Sequence, residues 1–174
     1  MSAAPDLLAE PRHRLTRAEY EQIVMTGVFD HQRVELVYGE ILDMSPIGPD
    51  HASVVERLNE LLVLRLAGRA SIRPQLSFAV GAHSEPEPDL LVVPRQDYRL
   101  SHPVEAFLVI EVARTSLRRD RGPKAALYAE AGVPEYWVVN LVDSLIEVRR
   151  EIVNGIYTRV TPYHSGESIT LVAF

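Results

Sequence analysis

Two segments, PDLLVV at 88–93 and FLVIEVA at 107–113, are nearly unbroken apolar runs of strand length. A strand with one face in water alternates apolar and polar residues; a strand without that alternation must be covered on both faces. The two runs therefore predict central strands of a sheet with helices packed on each side.

The rest of the chain supplies those helices and further strands. Thr16 followed by Glu19 has the spacing of a capping box, which starts a helix at Arg17 that ends near Gly27. RVELVYGEILDMSP reads as a hairpin turning at Tyr38-Gly39, with Pro46 and Pro49 closing it. From Asp50, the apolar stripe Val54, Val55, Leu58, Leu61, Leu62, Leu64 and Leu66 predicts a largely buried helix ending by Gly68. Further strands are expected at IRPQLSFAV, EYWVVNLVD and SLIEVRREIVNG, and a helix over 117–131 is closed by Gly132 with Pro134 beyond. Residues 1–14 read as a flexible tail and 15–174 as one domain, because 174 residues suffice for a single substantial core.

Composition removes several chemistries. With no cysteine, disulfides, thiolate metal sites and cysteine nucleophiles are excluded, a usage that suits a reducing cytoplasm. The opening residues lack a secretory pattern and the apolar stretches are too short to span a bilayer, so the expectation is a cytoplasmic protein with no membrane partner. A net charge of −6 argues against non-specific coating of nucleic acid. The one basic concentration is Arg114, Arg118, Arg119, Arg121 and Lys124. It reads either as a solvated face or as a phosphate-binding surface.

Within the buried runs, two carboxylates are out of place. Asp89 opens one strand and Glu111 lies inside the next, where an ionised group needs a cation, a hydrogen-bonding partner or a metal. The plainer readings are a rim aspartate and a buried ion pair to an arginine. Together, on neighbouring strands, they could share one divalent ion such as Mg2+ with a backbone carbonyl, for which Val112 is the candidate. Lys124, the one lysine among 18 basic residues, would add an ammonium to orient water or stabilise phosphate charge. His51 could meet the mouth of the sheet or help cap its helix, and Tyr128, four residues after Lys124, shares its helix face. Glu35 and Glu40 flank the hairpin turn; either could add a ligand, although surface glutamates are commoner there. Walker, GxSxG, HExxH and dinucleotide signatures are missing from the sequence.

LTRAEYEQI, RVELVYGEILDMSP, the histidine of GPDHASVVERL, EPDLLVV and FLVIEVARTSLRRDRGPKAALYAEAGVPEYWVVN resemble, in this order, the Uma-type "putative restriction endonuclease" family, a lineage of the PD-(D/E)XK nuclease superfamily. The resemblance spans roughly residues 15–170. It implies a restriction-endonuclease-like three-layer fold of mixed α+β class, a central mixed sheet flanked by helices, and oligomers that are often dimers. It implies that Pro88-Asp89 is the "PD" element, Glu111 the acidic element and Val112 a carbonyl ligand, with His51 and Glu40 approaching the site. Ala113 stands where the superfamily's lysine is expected, and Lys124 on the following helix matches the position that replaces it.

The expected function is a Mg2+- or Mn2+-dependent endonuclease acting on DNA. Asp89 and Glu111 would hold the metal, Lys124 would position water, and the arginines at 114 and 118–121 would contact phosphates. The rival expectations are a non-catalytic nucleic-acid- or protein-binding domain on the same scaffold, and a hydrolase of RNA or another phosphate ester.

Overall fold

A computed structural model describes residues 11–174. The first ten residues of the expected tail lie outside the described residues. Of the tail residues after them, Arg12 pairs with Glu40 at 3.5 Å, and Leu15, which opens the domain, donates its amide to Gly39 O at 3.0 Å.

Helix α1 (Arg17–Met25) begins with the expected capping box: the Thr16 hydroxyl accepts from Glu19 N, and the Glu19 carboxylate accepts from Thr16 N at 2.7 Å. Strands β1 (Val34–Val37) and β2 (Glu40–Asp43) form an antiparallel hairpin. Tyr38 and Gly39 both have positive φ, the conformation that a two-residue turn between twisted strands demands. Gly39 is required on a second count, because a Cβ there would lie 2.6 Å from Cβ of Arg14. Helix α2 (Pro49–Arg65) follows, with Pro49 in its first turn.

Six strands make the main sheet in chain order: β3 (Ser71–Pro74), β4 (Leu90–Val93), β5 (Leu108–Ala113), β6 (Tyr136–Asn140), β7 (Leu145–Val153) and β8 (Ile156–His164). Only β5 and β6 run parallel, so the sheet is mixed. Every residue of β4, β5 and β6 is buried, as their unbroken apolar character demands. The expected strand over 72–80 stops at Pro74, because Gln75 takes φ +50° and turns the chain out of the sheet. Asn154-Gly155, both at positive φ, sends the chain back into the edge strand β8.

Alternation along β5 sorts its neighbours. Leu108, Ile110 and Val112 pack with Val55 and Leu62 of α2 and with Trp137. Val109 and Ala113 pack on the other face with Leu127, Tyr128 and Tyr136. Helices thus cover both faces, and Glu111 points to the side opposite α2. The helix expected over 117–131 is interrupted: α3 (Leu117–Arg119) passes through a π turn (Asp120–Lys124) into α4 (Ala125–Glu130). Pro123 has no N–H for the carbonyl four residues back, and the wider turn absorbs the missing bond. Among the described residues no helix is long and apolar enough to cross a membrane.

Candidate active site

The antiparallel register that pairs Leu90 with Ile110 places Asp89 opposite Glu111 one step further along. Asp89 is fixed from two sides. Its Oδ2 accepts the Val112 amide at 2.8 Å and lies 3.1 Å from Nε2 of His51 in the first turn of α2. Its Oδ1 has only the Gln75 amide at 3.5 Å. Val112, whose carbonyl is the expected metal ligand, meets the site through its N–H.

Glu111 accepts two hydrogen bonds on Oε1, from Lys124 Nζ at 2.8 Å and Tyr128 OH at 2.7 Å. Its partner is a lysine, not the arginine of the plainer sequence reading. Lys124 and Tyr128 arrive together because they are four residues apart on one helical face, where the π turn passes into α4. Lys124 is 2 % exposed and makes a second ion pair, 2.9 Å from Oε2 of Glu35. Glu35, in the middle of β1, has no exposed surface and also accepts the Glu87 amide at 3.3 Å.

A cavity of about 200 Å³ opens onto Asp89, Glu111, Lys124, His51 and Asp120. Its floor carries an excess of negative charge in a poorly solvated setting. Burial pushes Glu111 up to about 8, although Lys124 pulls the other way and the charges of Asp120, Asp89 and Glu35 add to the rise. Burial likewise raises Asp120 and Glu87. For Lys124, burial favours the neutral amine, but Glu111, Glu35 and Asp120 outweigh it and its pKa rises, so it stays an ammonium. The hydrogen bond to Asp89 raises His51 against the opposing effect of burial.

The donors available to a metal ion are hard oxygens on adjacent strands. Glu111 Oε2 is free of the bonds that occupy Oε1, and Asp89 Oδ1 is only weakly engaged. Among the described residues no three His, Asp or Glu side chains converge as a metal cluster. Two carboxylates and a carbonyl fit an ion of the Mg2+ type, which keeps several waters, and a divalent charge would favour the ionised form of Glu111 that burial opposes.

The arginine stretch is divided by its helix. Arg114 is bound to Asp50 at the cavity rim. Arg119 also lines the cavity and donates to Asp43 O at 3.1 Å. Arg118 is exposed in an adjoining hollow. Arg121 is not brought to the cavity; it turns to β7, where it binds the buried Glu147 with Nε at 2.8 Å. Glu40 is also elsewhere, exposed and paired with Arg12. The hairpin glutamate that reaches the site is Glu35, because the register turns residue 35 inward. Its signal was present: VELV encloses a carboxylate in an apolar strand just as VIEVA encloses Glu111. Asp120 offered no comparable sign among its arginines.

Residues 17–174 match the family model Uma2, described as "Putative restriction endonuclease". No curated protein matches the chain. Among solved structures, the fold is similar to that of a "putative nuclease belonging to DUF820" from Anabaena variabilis ATCC 29413. That match has a TM-score of 0.71 and 13 % identity, covering 90 % of this chain and 88 % of the other.

Proposed function

The chain belongs to the Uma2 family, and from that premise we propose that it is a nuclease that hydrolyses phosphodiesters of DNA with Mg2+ or Mn2+. The observation that carries this reading is the juxtaposition of Asp89 and Glu111 across adjacent strands, with Lys124 bonded to Glu111 at the edge of one cavity. In this reading Asp89, Glu111 and the Val112 carbonyl hold the ion. What the ion supplies when bound is polarisation of the phosphoryl group and a lower pKa for water.

The chain's own residues do the positioning. His51 and the Val112 amide fix one oxygen of Asp89 so that the other points outward, and Tyr128 does the same for Glu111. Lys124 has three N–H donors, of which Glu35 and Glu111 take two. The third is available to the attacking water or to a non-bridging phosphate oxygen, where positive charge stabilises the transition state. Water adds to phosphorus, the ester P–O bond breaks, and one end leaves as a hydroxyl.

The test is incubation of supercoiled plasmid, single-stranded DNA and RNA with the protein in Mg2+, Mn2+ or EDTA, beside Asp89→Asn and Glu111→Gln. These amides keep the shape and the accepting oxygen. DNA cleavage that needs the ion and is lost in both variants supports the reading. Cleavage of RNA alone would replace the substrate, and cleavage unchanged in both variants would remove these carboxylates from the chemistry.

A further inference from the structure

Arg33 is absent from the basic stretch, yet it lies at the cavity. The hairpin delivers it there: its carbonyl accepts the Met44 amide at 2.9 Å, extending the β1–β2 ladder by one pair. Strand alternation then puts the side chains of Arg33 and Glu35 on the same face, toward Lys124. Arg33 is therefore anchored by its backbone at the mouth of a cavity whose floor is acidic.

Compared with its neighbours, its guanidinium is weakly committed. Arg114 binds Asp50 through two nitrogens, and Arg119 donates to a backbone carbonyl while lying 3.8 Å from Glu35. Arg33 has one loose ion pair, 3.7 Å to Glu87, and its side chain is 39 % exposed. A polyanion entering this cavity meets Glu87, Asp89, Glu111 and Asp120 below, and a cation at the entrance offsets that repulsion. A guanidinium matches two phosphate oxygens with parallel N–H donors.

We infer that Arg33 is a substrate-binding residue, which leaves Glu87 and takes a backbone phosphodiester of the nucleic acid at the cavity mouth. The inference rests on the nuclease reading above.

The experiment measures anisotropy of a fluorescein-labelled DNA oligonucleotide with the Asp89→Asn protein, alone and combined with Arg33→Gln or Arg33→Lys, over a series of salt concentrations. Cleavage kinetics are measured on the otherwise unaltered protein and on the same Arg33 variants. Loss of one phosphate contact should lower the slope of log K against log salt by about 0.7 for single strands or 0.9 for duplex. Arg33→Gln should show that loss and a KM raised about tenfold, with kcat within about twofold; Arg33→Lys should keep the slope. A purely structural role would change thermal stability but not the salt slope. If the parent protein cleaves DNA and Arg33→Gln keeps its slope and KM, the inference fails while the nuclease reading stands. If the parent protein neither binds nor cleaves DNA with any divalent ion, both fail.

Discussion

The ammonium of Lys124 lies 2.9 Å from Oε2 of Glu35, a carboxylate with no exposed surface contributed by the β1–β2 hairpin. The lysine is thus a buried bridge as well as a group at a cavity, since its other partner is Glu111 at 2.8 Å. Removing it would leave two buried carboxylates facing each other without a cation. Lys124→Met should destabilise the fold by about 3–5 kcal/mol, and adding Glu111→Gln to it should recover part of that loss. Urea unfolding of the two variants checks this; a Lys124→Met protein as stable as its parent would mean the bridge is not formed.

Burial of these carboxylates sets the pH response. Glu111 is raised to about 8, and Asp120 and Glu87 are raised by burial. Each holds its proton more tightly folded than unfolded. Their contribution is therefore complete below the ordinary carboxylate range and is lost as pH climbs through the folded value. In EDTA, Tm should fall between pH 5 and pH 8.5. The carboxylates shifted the other way, Glu19, Asp50 and Asp97, lose their contribution only at more acid pH. A melting temperature that rises across pH 5–8.5 would contradict the assignment.

Metal binding should carry the complementary signature. Burial favours the protonated form of Glu111, so a divalent ion at Asp89 and Glu111 competes with a proton. Affinity for Mg2+ should therefore tighten by up to about tenfold per pH unit below the folded pKa of Glu111. Calorimetry at pH 7 in buffers of different ionisation enthalpy should register proton release on binding. Identical heats in all buffers would place the ion elsewhere.

The two hairpin glutamates should separate cleanly. Glu40 is exposed and its ion pair with Arg12 spans 3.5 Å, so Glu40→Gln should change stability by no more than about 0.5 kcal/mol and leave cleavage intact. Glu35→Gln loosens Lys124 and should lower kcat about 10–100-fold, the range found when a group that orients a metal site is removed. Equal activity in both variants would take Glu35 out of the site.

His51 fixes Asp89 through Nε2, while its buried Nδ1 has no hydrogen-bond partner. His51→Ala should weaken Mg2+ binding about 10–100-fold, and His51→Asn should recover some of it if its amide reaches Asp89. Dissociation constants from calorimetry decide the matter; unchanged affinity in His51→Ala would reduce the contact to packing.

Much of this architecture was legible because burial leaves a mark on composition. The unbroken runs around Asp89 and Glu111 required a sheet covered on both sides, and Thr16 with Glu19 fixed the start of α1. The same logic marked Glu111 as a carboxylate needing a partner. It was not carried to Glu35, since a four-residue strand beside a tight turn reads equally well as a surface hairpin. The arginine run was only partly legible for a related reason: a charged run does not reveal which side chains a helix directs to which neighbour, so that Arg114 and Arg119 line the cavity while Arg121 binds Glu147.

By itself, the sequence determined the mixed sheet with helices on both faces, the membership of the family and the need to offset charge at 111, because these follow from local patterns of polarity and from motif order. Only the tertiary structure decided which groups meet. The register of β4 on β5 sets Asp89 against Glu111. The π turn at Pro123 sets the phase that brings Lys124 and Tyr128 over them. The hairpin packed above adds Glu35 and Arg33. Those contacts join residues up to 89 positions apart in the chain, and neither periodicity nor propensity carries information over that separation.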